Sequence, residues 1–423
     1  MPRNAAFHPE REPFRNTPEL QLDNSKINGP FAFLNPTQAH YDHVANEKTA
    51  AASSDVSHDA DIPAEPTPPT TVPASAIGYR WTSRNNRKGR HALVVKPSDD
   101  TDAQYTAPAP TTSSKAILHN IGRMLTYYPI WDVSYLVAFV FTLGSIIWVI
   151  NAFFALLPFT NPKSEFPGEV LYGGGITAFI GATVFEIGSV LLMLEAVNEN
   201  RAGCFGWAVE KLYHGEQGGI SQVTPDNCTH HHQNKGNLVG KAVTSEKAAS
   251  ESSDADGTPP GAKSWVWWPS MHELRTHYLH DLGFLACSAQ MFGATIFWIS
   301  GFTALPGIYN NLSPTRVLNG VYWVPQVIGG SGFIVSGTLF MIETQKHWWQ
   351  PAFGVLGWHI GFWNLIGGLG FTLCPIFGFS TVHWREYQAS CSTFWGSWAF
   401  LIGSVLQWYE SLEKHPVEKV RES

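Results

Sequence analysis

From residue 133 onward, apolar positions gather into six windows, at 133–157, 170–194, 282–305, 322–342, 353–379 and 390–409. A helix needs about 20 mostly apolar residues to cross the hydrocarbon of a bilayer, so each window can span it. Five of them hold no Asp, Glu, Lys or Arg, and the second holds one such residue, Glu186. The pattern predicts an all-α, polytopic membrane protein with six transmembrane helices. An even number of spans puts both termini on one side.

The windows also repeat. The runs GSVLLMLE at 188–195, SGTLFMIE at 336–343 and GSVLQWYE at 403–410 close the second, fourth and sixth windows. Each has two small residues, Leu three positions after the first of them and Glu seven positions after it. Seven residues make nearly two helical turns, so small residue and acid share a face, and Glu195, Glu343 and Glu410 reach the membrane interface. Before each odd window stands an aromatic pair with a proline: Tyr127-Tyr128-Pro129, Trp267-Trp268-Pro269 and Trp348-Trp349-Gln350-Pro351. Such pairs suit the headgroup layer. The predicted unit is a helical hairpin used three times. The chain then divides into a polar N-terminal region (1–114), an interfacial helix with hairpin one (115–200), a loop (201–264), an interfacial segment with hairpin two (265–347), hairpin three (348–414) and a tail (415–423).

Composition and charge give this picture a direction. Only 14% of the 423 residues are charged while 13% are aromatic, against about a quarter charged in soluble domains. A single soluble domain, a collagen-like chain and a wholly disordered protein are thereby excluded. Of the 27 Lys and Arg, only Lys163, Arg316 and Arg385 fall in the short connections after the odd windows. The other 24 lie with the termini and the remaining loops, so the positive-inside rule places both termini in the cytoplasm, at the plasma membrane or an endomembrane. The first 30 residues lack an apolar leader, and insertion is expected to begin at the first window. Residues 1–112 and about 215–262 are rich in Pro, Ser, Thr, Asp and Gly and are predicted to be disordered cytoplasmic arms. Arg80, Arg84, Arg87, Lys88 and Arg90 lie in the first arm. A polybasic segment so placed is expected to contact anionic lipid of the bilayer rather than nucleic acid.

The runs WWPSMHELRTHYLHDLGFLACSAQMFGATIFWISGF (267–302) and TFWGSWAFLIGSVLQWYES (393–411) resemble those of uncharacterised multi-pass integral membrane proteins of fungi. The hairpin ending in FLIGS is also similar, more weakly, to the two-span YrhK-like domain of bacterial proteins. The first resemblance covers about residues 115–414 and the second one hairpin at a time. Both imply membrane location and the hairpin unit; neither implies an activity, a cofactor or a site residue.

Chemistry-bearing groups are sparse. Cys228, His230 and His232 offer soft and borderline ligands to a metal, although consecutive histidines cannot all face one ion and a solvated loop is the plainer reading. No phosphate loop or nucleophile elbow occurs, and no cofactor is predicted. Cys204, just beyond the second window, is a candidate for palmitoylation. Cys374 and Cys391 both approach the outer face, where a disulfide is one option. In the fifth window Gly354, Gly357 and Gly361 recur at helical spacing, which places that helix at the bundle centre. Glu186 breaks the repeat, its counterparts being Ile334 and Leu401. It lies about as deep as His359 in the fifth window, so the two are expected to form an intramembrane polar pair, with Asn364 as a further partner.

Two function classes lead, with no enzyme expected. One is a membrane scaffold or organising protein that works through its cytoplasmic arms, with unknown protein partners. The alternative is a proton, ion or small-solute carrier or channel built on Glu186 and His359. A membrane enzyme would need a convergent cluster of acids or ligands, which the sequence barely begins.

Overall fold

The computed structural model describes residues 20–43, 70–72, 76–96, 105–107, 110–213 and 265–419. It is largely helical, with a small sheet formed mostly from the N-terminal region. The helices named here are α1 (Ser83–Arg87), α2 (Ser114–Thr126), α3 (Val133–Thr160), α4 (Gly175–Val197), α5 (Leu282–Thr303), α6 (Val324–Glu343), α7 (Leu356–Gly378) and α8 (His383–Leu412). Asp132 starts α3 by accepting from the amides of Ser134 and Tyr135 at 2.9 and 3.2 Å, and Asp281 starts α5 by accepting from that of Phe284 at 2.7 Å. These bonds satisfy orphan donors of each first turn.

Helices α3 to α8 pack in chain order, each against the next, and α8 returns to α3. They form a closed ring with no helix at its centre. The expectation that the fifth window sits centrally is therefore corrected: α7 is one wall of the ring, between α6 and α8. Of the three glycines of the predicted spacing, Gly361 meets the backbone of α6 at Met341, Gly357 meets a side chain from outside the ring, and Gly354, just before α7, has open space. Close backbone approaches also occur between other walls. A Cβ added at Gly332 of α6 would stand 2.7 Å from the Gly293 Cα of α5.

Five stretches are long and apolar enough to cross a membrane: Val133–Thr160, Glu169–Val197, Leu282–Thr303, Thr315–Glu343 and Leu356–Gly378. The chain is thus a helical membrane protein. The sixth ring helix, α8, is 30 residues long but less apolar, with His383, Arg385 and Glu386 in its first turn. Helices α4 and α6 are each entered through a π-helical segment, Glu169–Gly174 and Asn319–Trp323.

At one end of the ring sits a five-stranded sheet in sequential order, β1 (Leu20–Leu22), β2 (Gln38–His43), β3 (Ile77–Thr82), β4 (Ala92–Val95) and β5 (Val417–Lys419). The first three pairings are antiparallel. The last is parallel, with Leu93 opposite Val417. Thr70–Val72 and Tyr105–Ala107 form a separate antiparallel pair. The described parts of the N-terminal region are thus folded, which corrects the prediction of disorder there. Its core is drawn largely from its own strands. Strand β5, from the opposite end of the chain, completes it, burying Tyr41, Ile77, Tyr79, Trp81, Leu93 and Val417 together.

Candidate functional site

The site is built where the sheet meets the ring. Between β3 and β4 the chain makes the five-residue helix α1, begun by Thr82, whose hydroxyl accepts from the Asn85 amide at 3.1 Å. Residues three and four apart share a helical face, so Ser83, Arg84, Arg87 and Lys88 point together into the mouth of the ring. Gly89, at φ +61, then turns the chain back toward β4, a conformation that only glycine adopts without strain.

The three repeat acids wait at that mouth. Glu343 accepts from Arg87 Nη1 and Nη2 at 2.8 and 2.9 Å and from the Ser83 hydroxyl at 2.8 Å. Glu410 accepts from Arg84 Nε and Nη2 at 3.2 and 2.7 Å, and Arg90 Nη1 lies 3.1 Å from it. Lys88 Nζ stands between Glu195 and Glu410, 3.8 and 3.6 Å away, without a hydrogen bond to either. All seven charged groups are buried; Lys88 is 2% exposed and Glu195 0%. Burial pulls the Lys88 ammonium below the usual lysine range, against the opposing pull of Glu195 and Glu410. Two glycines clear slots for the guanidinium groups: a Cβ at Gly283 would collide with Arg87, and one at Gly357 would lie 2.6 Å from Arg84 Nε.

These positions correct the lipid-contact reading of the basic cluster. Arg84, Arg87, Lys88 and Arg90 are turned onto the protein's own acids, and Arg80 pairs with Glu418 of β5. A folded polybasic segment with buried acids in reach satisfies its charges internally, which no composition count reveals.

Beneath the charges lies a cavity of about 30 Å³, lined among others by Glu195, Gln290, Asn364, Ser145, Ser404 and Gln407. That is room for a water molecule or two. Its floor is aromatic. Trp148, Phe185, Phe297, Phe333, Phe371 and Phe400, one from each ring helix, cluster on the axis, with Trp148 and Phe371 centroids 4.9 Å apart and Phe371 and Phe400 5.2 Å apart. Phe185, Phe333 and Phe400 each stand ten residues before a repeat acid, about 15 Å along the helix. Sequence reading missed this aromatic floor, although the signal, a phenylalanine at fixed register in all three repeats, is present.

The expected pair of Glu186 and His359 does not form. Glu186 Oε1 accepts from the Thr295 hydroxyl at 2.9 Å, and His359 Nε2 lies 2.8 Å from the Phe353 carbonyl. Azimuth decides: Phe185 and Ile360 are buried toward the axis, and the adjacent residues are turned about 100° away, on walls that do not adjoin. Asn364 does line the cavity, donating to the Ile360 carbonyl at 2.9 Å. Cys204 is buried in an apolar cluster with Val133, Ala208 and Trp265, out of reach of an acyl donor, which corrects the palmitoylation reading. Cys374 and Cys391 are not joined. Cys228, His230 and His232 lie outside the described residues, and among those described no three His, Cys, Asp or Glu gather to hold a metal ion.

The sheet is locked onto the ring by further polar contacts. Gln38 donates to the Thr344 carbonyl at 3.1 Å, Asn86 to Glu199 at 3.1 Å, and Lys414 to the Lys88 carbonyl at 2.9 Å. His91, 2.8 Å from Asn200, and His415 are held by burial at a pKa of about 4. A histidine depressed in the fold contributes stability that is complete above its unfolded pKa near 6.5 and lost as pH falls toward 4. The melting temperature should therefore fall between pH 6.5 and 4, and His91→Gln should flatten part of that slope. An unchanged slope in the variant would remove His91 from the account.

No family model matches the chain, and neither the curated proteins nor the solved structures searched contain a match to it.

Proposed function

We propose that this is a six-span integral membrane protein of scaffold type, with three hairpins closed into a ring that carries a docked cytoplasmic sheet domain. Both termini and the sheet lie in the cytoplasm, and α8 is the sixth span. The observation that carries it is the occupation of the acidic mouth by α1. Each repeat acid faces a cation of the chain's own N-terminal domain, two of them through bidentate arginine, so the ring works as a socket for that domain. Below the socket six aromatics, one from each ring helix, pack together on the axis, which favours a scaffold over an open carrier. The cavity beside Glu195 is the feature a gated carrier would use, and such a carrier would have to move both α1 and the aromatic floor.

Two measurements test the reading. Cysteines introduced at Ser164, Ser313 and Ser380 of a cysteine-free variant should react with impermeant maleimide from outside intact cells, and one at Ser250 should not. Purified protein in proteoliposomes should pass neither protons nor potassium faster than protein-free vesicles. Labelling at 250 would invert the topology, and a protein-dependent flux would replace the scaffold with a carrier.

A further inference from the structure

Helix α2 turns Asn120 onto the protein and leaves an apolar stripe exposed. Asn120, 3% exposed, donates to Glu413 at 2.9 Å, and just upstream the Thr111 amide donates to the Val417 carbonyl of β5 at 3.2 Å. Ser113 begins the helix by accepting from the Ala116 amide. The opposite side carries Ile117, Leu118, Ile121 and Leu125, with Leu118 at 69% and Leu125 at 72% exposed. At 100° per residue these four fall within an arc of about 100°. The helix contains Lys115 and Arg123 and no acid.

Something apolar must cover this arc, and the chain indicates what. Seven residues after Thr126 begins α3, a stretch apolar enough to span a membrane. The junction keeps Tyr128, Ile130 and Trp131 exposed, and α3 continues outward with Leu143, Ile146 and Ile150. Exposed apolar side chains therefore recur from α2 through the junction and on along α3. Arg123, stacked 4.9 Å over Tyr127, and Lys115 place cations beside them. That combination, an apolar stripe with flanking cations and aromatics, is the character of a helix lying in the headgroup boundary of an anionic leaflet.

We propose that α2 lies in the plane of the membrane with Ile117, Leu118, Ile121 and Leu125 in the leaflet and Lys115 and Arg123 against anionic headgroups. Through Asn120 and Thr111 the same helix grips α8 and β5, so the leaflet surface serves as a third wall that holds the sheet over the ring. The inference rests on the membrane reading above.

The test uses the full chain in nanodiscs of phosphatidylcholine and phosphatidylserine. Leu118→Cys, His119→Cys, Leu125→Cys and Ile146→Cys are each spin-labelled in a cysteine-free background. Collision with oxygen and with a water-soluble nickel chelate then reads depth. Labels at 118 and 125 should lie about 5–10 Å into the leaflet, 119 in water and 146 deep in hydrocarbon. Lys115→Glu with Arg123→Glu should move the 118 label outward in discs containing phosphatidylserine and not in phosphatidylcholine alone. Chelate access at 118 and 125 equal to that at 119 would overturn the proposal. Exclusion of both reagents with spin–spin broadening would also overturn it, by making a second copy the occupant. An unmoved 118 label would remove the anionic headgroup from it. A water-accessible label at 146 would instead sink the membrane reading itself.

Discussion

Arg87→Met should destabilise the detergent-solubilised protein by about 3–5 kcal/mol, the cost of breaking a buried ion pair from one side. Arg87 and Glu343 are almost wholly buried, and the guanidinium makes two hydrogen bonds to the carboxylate. Without the arginine, Glu343 keeps only the Ser83 hydroxyl as a hydrogen-bond partner, with the Arg84 charge still acting on it. A buried carboxylate so deprived loses far more than the attraction itself, because its hydration is not returned. The double variant Arg87→Met with Glu343→Leu should therefore recover much of the loss, since uncharged side chains of similar volume carry no desolvation penalty. Tryptophan-fluorescence melting curves of the wild type, both singles and the double would check this. Losses that simply add in the double variant would show that the two groups act independently and would undo the socket.

Gly332→Leu should be comparably damaging, at about 3 kcal/mol or more, by a purely steric route. The added Cβ would meet the Gly293 Cα at 2.7 Å and the Ala289 carbonyl oxygen at 3.1 Å, both backbone atoms of α5 that cannot rotate aside. Helices α5 and α6 would have to separate, and the close packing that small residues permit would be lost along their shared wall. Gly354→Leu is the matched control, for its Cβ would find nothing within 4 Å. The expected result is a large fall in thermal stability for the first and little change for the second. Equal behaviour of the two would mean that the α5–α6 contact does not limit the stability of the ring.

Features written within about ten residues were legible in the sequence. The apolar windows became the ring helices, and the acid closing each repeat became one of the three groups at the mouth, because a helix converts spacing directly into face and depth. Glu186 and His359 mark where that conversion stops. Each turns away from the axis, and which wall faces which follows from ring closure. The aromatic floor was readable at Phe185, Phe333 and Phe400 but acquires meaning only with Trp148, Phe297 and Phe371 from the odd helices.

The sequence by itself determined a helical membrane protein, the helices that build it, the register of its repeat and the position of its acids. Hydrocarbon imposes length and apolarity on every spanning segment, and these are local properties. Only the tertiary structure decided that Arg87 meets Glu343 across 256 residues and that Arg84 meets Glu410 across 326. It alone decided that a polar N-terminal region folds into a sheet with β5 from the other end of the chain. A charge carries no record of its partner, and a strand none of its neighbour. Both are settled when the ring closes and removes water from the groups gathered at its mouth.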